Sequence, residues 1–194
     1  MLLLLAVAAG LVVLVGPWPS SSSPSSSTTP LPRLRGERLA PVNVPAPLGP
    51  ADGAIPDGTT VFDDGVPGVA RLDPALLDAL RRAATDADRA FTVVSGWRSA
   101  AYQEQLLRDA VAQYGSRDAA ARWVATPQRS AHVSGDAVDL GADAPAWLAE
   151  HGAAYGLCPV YANEPWHVEL RPDAAAAGCP TPYPDPTHDP RMHT

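Results

Sequence analysis

At 194 residues the chain has room for one domain with a substantial core. Its formal net charge of -7 leaves no basic footprint, which excludes nucleic acid as an expected partner. All fourteen basic residues are arginine, and a chain without lysine has no serine–lysine route of nucleophilic catalysis.

Residues 1–32 carry no charged side chain and residues 2–15 are apolar throughout. As a helix that run reaches ~21 Å at about 1.5 Å per residue, short of the ~30 Å hydrocarbon core. Residues 1–18 are therefore expected to be a secretory signal peptide or an N-terminal membrane anchor, the chain's one expected membrane contact. Residues 19–54, rich in Ser and Pro, bury too little apolar surface to offset ordering and are expected to be a disordered linker. The composition becomes domain-like at Ile55, so residues 55–194 are expected to hold the folded domain and a Pro-rich C-terminal tail.

Within the domain, Asp73-Pro74 gives a cap and a proline at the first helical position, with Leu76, Leu77, Leu80 and Ala84 on one face. Phe91 to Ser95 predicts a strand, and Ser99 caps a second helix that Gly115 ends. A short helix is expected from Arg117 to Ala125, with Trp123 and Val124 inward. Ser134-Gly135-Asp136 reads as a turn and Ala137 to Leu140 as a strand with Ala137 and Asp139 on one face. Asp143-Ala144-Pro145 starts another helix, in which Trp147, Leu148, His151 and Tyr155 recur at helical spacing. Pro165 marks the start of a last strand, with His167 and Glu169 on one side and Glu164 at its mouth. Short strands among helices, without a strand–helix repeat, predict an α+β domain. The even cysteine count predicts a Cys158–Cys179 disulfide in an exported protein.

Two motifs carry chemistry. Ser130-Ala131-His132-Val133-Ser134-Gly135-Asp136-Ala137-Val138-Asp139 and Glu164-Pro165-Trp166-His167 supply two imidazoles and two carboxylates. Zinc takes such donors, three from the protein in a catalytic site. His132, Asp139 and His167 are the expected ligands of one Zn2+, with Glu164 as general base. Asp136 competes on spacing, but the strand face favours Asp139. Glu169 is expected either behind a ligand imidazole or as a solvated strand carboxylate. His151, His188 and His193 lack such a setting and are assigned no metal.

With the upstream Ser95-Gly96-Trp97-Arg98-Ser99 and Gln103, these motifs resemble the VanY-type D-alanyl-D-alanine carboxypeptidases, from about Thr60 to Arg171. Trp97 stands where that family more often has tyrosine. The resemblance implies a small antiparallel sheet with surrounding helices and zinc on its open face, as in the D-Ala-D-Ala peptidase and hedgehog-like fold group. It implies an extracytoplasmic monomer, secreted or anchored at the cell envelope, that removes the terminal D-alanine of peptidoglycan stem peptides. Arg98 is then expected to hold a substrate carboxylate or the oxyanion, with Gln103, Ser130, Tyr155, Trp97 and Trp166 as candidate pocket walls. The alternatives are an L,D-carboxypeptidase or D,D-dipeptidase on the same site, and a zinc-containing peptidoglycan-binding domain without turnover.

Overall fold

The structure, a computed structural model, describes residues 48–193, all within the compact unit Pro45–Thr194. The expected signal or anchor segment 1–18 and most of the linker lie outside the described residues. Seven α-helices occur among them: α1 Pro67–Ala70, α2 Pro74–Asp86, α3 Ala100–Tyr114, α4 Arg117–Ala120, α5 Ala131–Ser134, α6 Pro145–His151 and α7 Ala174–Ala177. The strands are β1 Val93–Ser95, β2 Ala137–Leu140, β3 Leu157–Tyr161 and β4 Glu164–Leu170. They form one antiparallel sheet in the order β1-β2-β4-β3, so the domain is α+β as expected.

Capping chemistry places the two long helices. The Asp73 side chain accepts from the amides of Ala75 and Leu76, and Ser99 Oγ accepts from Tyr102 N, satisfying donors that the first helical turn leaves open. α2 lays Leu76, Ala79, Leu80 and Ala83 on the core face of the sheet, where Val93, Val138, Leu140 and Val168 meet them. That face is the core. The other face of β2 and β4 carries Asp139, His167 and Glu169.

Two local expectations change. Folding begins before Ile55: Pro50–Asp52 is a 3-10 turn, and Asp52 accepts from both the amide (2.8 Å) and the hydroxyl (3.0 Å) of Ser99. The predicted boundary is therefore several residues late, because Asp52 docks on the residue that caps α3. The helix expected through Ala125 stops at Ala120, and Trp123 turns outward, 36% exposed, to stack on Tyr114. Val124 stays half-buried against Leu107, Ala110 and Ala120.

Cys158 and Cys179 form the expected disulfide, tying β3 to the start of the C-terminal segment. That segment packs back as a strap. Tyr183 pairs with β3 through its amide to Val160 O (2.9 Å) and its carbonyl from Ala162 N (2.8 Å). Asp185 and Asp189, both buried, cap consecutive 3-10 turns at Pro186–His188 and Pro190–Met192.

Candidate metal centre

Strand register brings the central pair together. Asp139 lies directly opposite His167 across β2 and β4, and Ala137 lies opposite Glu169, so all four project on one face. His132 arrives from outside the sheet on the single turn α5. Gly135 ends that turn at φ 88, and a Cβ there would lie 2.6 Å from Arg71 O, so this turn requires glycine. The loop after β1 holds α5 in two places: His132 Nδ1 donates to Gly96 O (2.9 Å) and Arg98 N donates to His132 O (3.0 Å).

Those contacts set the tautomer. With Nδ1–H committed to Gly96, His132 turns the Nε2 lone pair inward, 3.2 Å from His167 Nδ1 and 3.4 Å from Asp139 Oδ1. Asp139 Oδ1 is 3.0 Å from His167 Nδ1. One ligand atom from each of the three residues thus lies within 4.8 Å of the other two. Both imidazoles are buried. Three ligand atoms converging between buried imidazoles suit a cation, and the two-nitrogen, one-oxygen set fits zinc.

Each donor is held from behind. Arg98 Nη2 donates to Asp139 Oδ2 (3.0 Å), while its Nε donates to Ser95 Oγ (2.7 Å) and its Nη1 to Gln103 Oε1 (2.8 Å). Gln103, fully buried, donates in turn to Ala125 O (2.8 Å). Behind His167, Nε2 faces Glu169 Oε1 at 3.5 Å. Glu169 is 2% exposed, which removes the solvated alternative for it.

Glu164 reaches the site by an irregularity. Between the pairs Pro159↔Val168 and Tyr161↔Glu164, β3 advances two residues while β4 advances four. The extra residues, Pro165 and Trp166, are exposed. In a regular strand Glu164, three before His167, would face away from it. The bulge turns it into the same cavity. Burial pushes its carboxyl up to about 7, with Asp139 adding to the rise and His167 and Arg98 opposing it.

The cavity is lined by Arg98, Gln103, Ser130, His132, Asp139, Glu164 and His167 together with Trp123, Tyr161, Pro186 and Met192. Three predicted wall residues are elsewhere. Trp97 lies under the Arg71 guanidinium at 4.3 Å, Tyr155 donates to Asp86 (2.6 Å) and packs on Trp147, and Trp166 rides the exposed bulge. The parity of Trp166 and the helical spacing of Tyr155 point away from the site, so these were legible. Asp136 is exposed and accepts from Ser134 Oγ (2.6 Å), outside the metal cluster. His151 packs on Trp147, His188 pairs with Asp185 and His193 meets Thr187 O.

Trp123, Tyr161, Pro186 and Met192 were missed as cavity walls. A signal existed for the last two. Asp185-Pro186 and Asp189-Pro190 repeat the Asp-Pro grammar that located α2, and two such caps four residues apart mark ordered turns.

The buried histidine pair holds its proton on His167. Burial alone would lower this imidazole, but hydrogen bonds to Asp139 and Glu169 outweigh it and raise it from 6.5 to about 9. His132, mainly by burial, goes down. A raised imidazole stabilises the fold fully below the unfolded value of 6.5 and loses that contribution as pH rises through 9. Glu164 acts in the same direction up to about 7. Metal-free protein is therefore expected to lose thermal stability between about pH 7 and 9. Metal uptake near neutrality should release a proton from His167. Calorimetric titration in buffers of different ionisation enthalpy checks the second statement.

The convergent donor set describes a candidate metal centre on the open face of an α+β sheet. A family model described as VanY, D-alanyl-D-alanine carboxypeptidase, matches residues 72–173. That match spans more than half of the sequence, and the chain belongs to the VanY D-alanyl-D-alanine carboxypeptidase family. A D-alanyl-D-alanine carboxypeptidase of Enterococcus faecalis (strain ATCC 700802 / V583) is 32% identical over 124 residues, covering 50% of this chain and 46% of the relative. The chain thus spans about half the length of that curated relative. Among solved structures, a mutant of the vancomycin resistance D,D-pentapeptidase VanY in complex with Zn(II) is 26% identical at a TM-score of 0.48, covering 56% of this chain and 80% of that one. The LD-carboxypeptidase LdcB is 25% identical at 0.49, covering 68% and 72%.

Proposed function

We propose that this chain is a zinc-dependent D-alanyl-D-alanine carboxypeptidase that removes the terminal D-alanine from peptidoglycan stem peptides outside the cytoplasm. The observation that carries the reading is the convergent His132, Asp139 and His167 donor set sharing one cavity with the Glu164 carboxyl. His132 Nε2, Asp139 Oδ1 and His167 Nδ1 would hold one zinc. Zinc, when bound, supplies a Lewis acid for the scissile carbonyl and an acidified water as nucleophile.

The chain's own groups do the rest. Glu164 accepts the nucleophile's proton and passes it to the leaving D-alanine amine. Its position near neutrality suits a group that must both take and give a proton. Arg98 commits three of its five N–H donors to Ser95, Gln103 and Asp139, leaving two for a substrate carboxylate or the developing oxyanion. Gln103 positions Arg98, and Ser130, Trp123 and Tyr161 shape the walls. The disulfide supports an oxidising compartment. Residues 1–18 would direct export or anchor the protein, which acts as a monomer. Among the described residues no helix is long and apolar enough to cross a membrane.

The test is incubation of the zinc-loaded chain with defined tri-, tetra- and pentapeptide stems, with products read by mass. Release of one D-alanine from the pentapeptide is expected; a tetrapeptide-only activity would move the enzyme to the L,D class, release of a dipeptide to the D,D-dipeptidases. No hydrolysis by fully loaded protein would favour a binding domain. Arg98→Lys is expected to lower kcat/KM by about 10- to 100-fold, the worth of one or two charge-assisted hydrogen bonds, because an ammonium cannot reproduce the fork. A loss confined to KM would assign Arg98 to the substrate carboxylate, one in kcat to the oxyanion.

A further inference from the structure

The family match ends at residue 173, yet the strap beyond it reaches the metal centre from behind. Arg191 forks onto Glu169, with Nη1 to Oε2 at 2.7 Å and Nη2 to Oε1 at 3.1 Å. Glu169 Oε1 is the atom that faces His167 Nε2. Asp189, fully buried, fixes the other side of the arginine: Nε donates to its Oδ1 (3.1 Å) and Oδ2 (2.9 Å). The Tyr161 hydroxyl donates to Asp189 Oδ2 (3.0 Å), and the Tyr161 ring packs on His167 with centroids 5.1 Å apart. His167 is thus gripped on its ring face and at its outer nitrogen by one connected network.

We propose that residues 180–193 are a working part of the metal centre, with Arg191 as a positioning residue that holds Glu169 against His167 and so orients the donor nitrogen Nδ1. The inference rests on the zinc reading of the site. An imidazole ligand needs its second nitrogen paired, or the ring rotates and the donor loses basicity. A buried carboxylate serves that purpose only if its own charge is matched. Arg171 reaches Glu169 Oε2 at 3.1 Å, but Arg191 alone contacts both oxygens among the described residues, which sets the plane of the carboxylate. The strap is in turn held by the disulfide at Cys179, by the Tyr183 bridge and by Arg122 Nε donating to Asp185 (2.9 Å).

The experiment uses the full chain loaded with zinc and follows release to a chelator, with cobalt(II) spectra of the same variants. Arg191→Ala is expected to release zinc about 10- to 100-fold faster than the parent and to change the cobalt spectrum as Glu169→Gln does. Arg191→Lys should recover part of the loss. The double variant should release no faster than Glu169→Gln alone, since both act on one contact. Arg122→Ala, which loosens the strap through Asp185 and leaves the Arg191–Glu169 contact itself in place, should accelerate release clearly less than Arg191→Ala does. Parental release from Arg191→Ala, additivity in the double variant, or equal acceleration by Arg122→Ala would each overturn the proposal while leaving the zinc reading intact. Should Arg191→Ala fail to fold, Arg191→Lys against Glu169→Gln decides in the same way. A parent that takes up no zinc would overturn both readings.

Discussion

Glu164→Gln is expected to reduce turnover by about 10²- to 10⁴-fold, the usual worth of a positioned acid–base group, with zinc content unchanged. Glutamine keeps the volume and most hydrogen-bonding capacity of the side chain but cannot accept a proton. The residue is half-buried, and that partial burial already favours its neutral form. A neutral amide therefore removes a desolvation cost, and thermal stability should hold or rise slightly above neutral pH. Stem-peptide binding should survive. Zinc loss would make Glu164 a ligand, and unchanged turnover would mean that another group is the base. Steady-state kinetics with metal analysis on the same preparation separates these outcomes.

His132→Ala and His167→Ala are both expected to abolish stoichiometric zinc, since two donors cannot close the site. Their effects on metal-free protein should differ. His132 is the neutral partner, tied through Nδ1 to one backbone carbonyl, so its loss leaves a small cavity. His167 carries the proton between two carboxylates, the half-buried Asp139 and the buried Glu169. Removing one partner of a buried pair costs ~3–5 kcal/mol, and here the lower end applies because Arg98 still meets Asp139 and Arg191 still meets Glu169. Denaturant melts of metal-free variants should place His167→Ala well below His132→Ala. Full zinc occupancy in either variant would overturn the donor assignment.

The Glu169 carboxylate explains why these two histidines are unequal. Burial would raise it, yet hydrogen bonds from His167 and Arg191 hold it down at about 2. It stays charged across the physiological range, so it offers a permanent acceptor to His167 Nε2 and leaves Nδ1 for the metal. Asp139 is likewise held well below the carboxylate range: burial would raise it, and the paired histidines more than compensate. A site with two fixed negative charges and a mobile proton is poised to exchange that proton for a cation.

The sequence by itself determined whatever depends on near neighbours along the chain. Caps and periodicity located α2 and α3 because Asp73 and Ser99 act on amides two or three residues away. Strand alternation put Asp139 and His167 on inward faces for the same reason, and the motifs singled out the three residues whose side chains converge. What only the tertiary structure decided required contacts between distant segments. The β4 bulge that delivers Glu164 depends on its pairing with β3, and Arg98 is bound to Asp139 41 residues away. Trp97 sits inside the motif, but its partner, Arg71, lies outside it. The strap was half hidden for a related reason: its Asp-Pro pairs mark turns, but its prolines resemble a linker, and only the fold brings Arg122 to Asp185 and Tyr161 to Asp189. Local preference can bias a turn, but burying a charge requires a partner that the fold must supply.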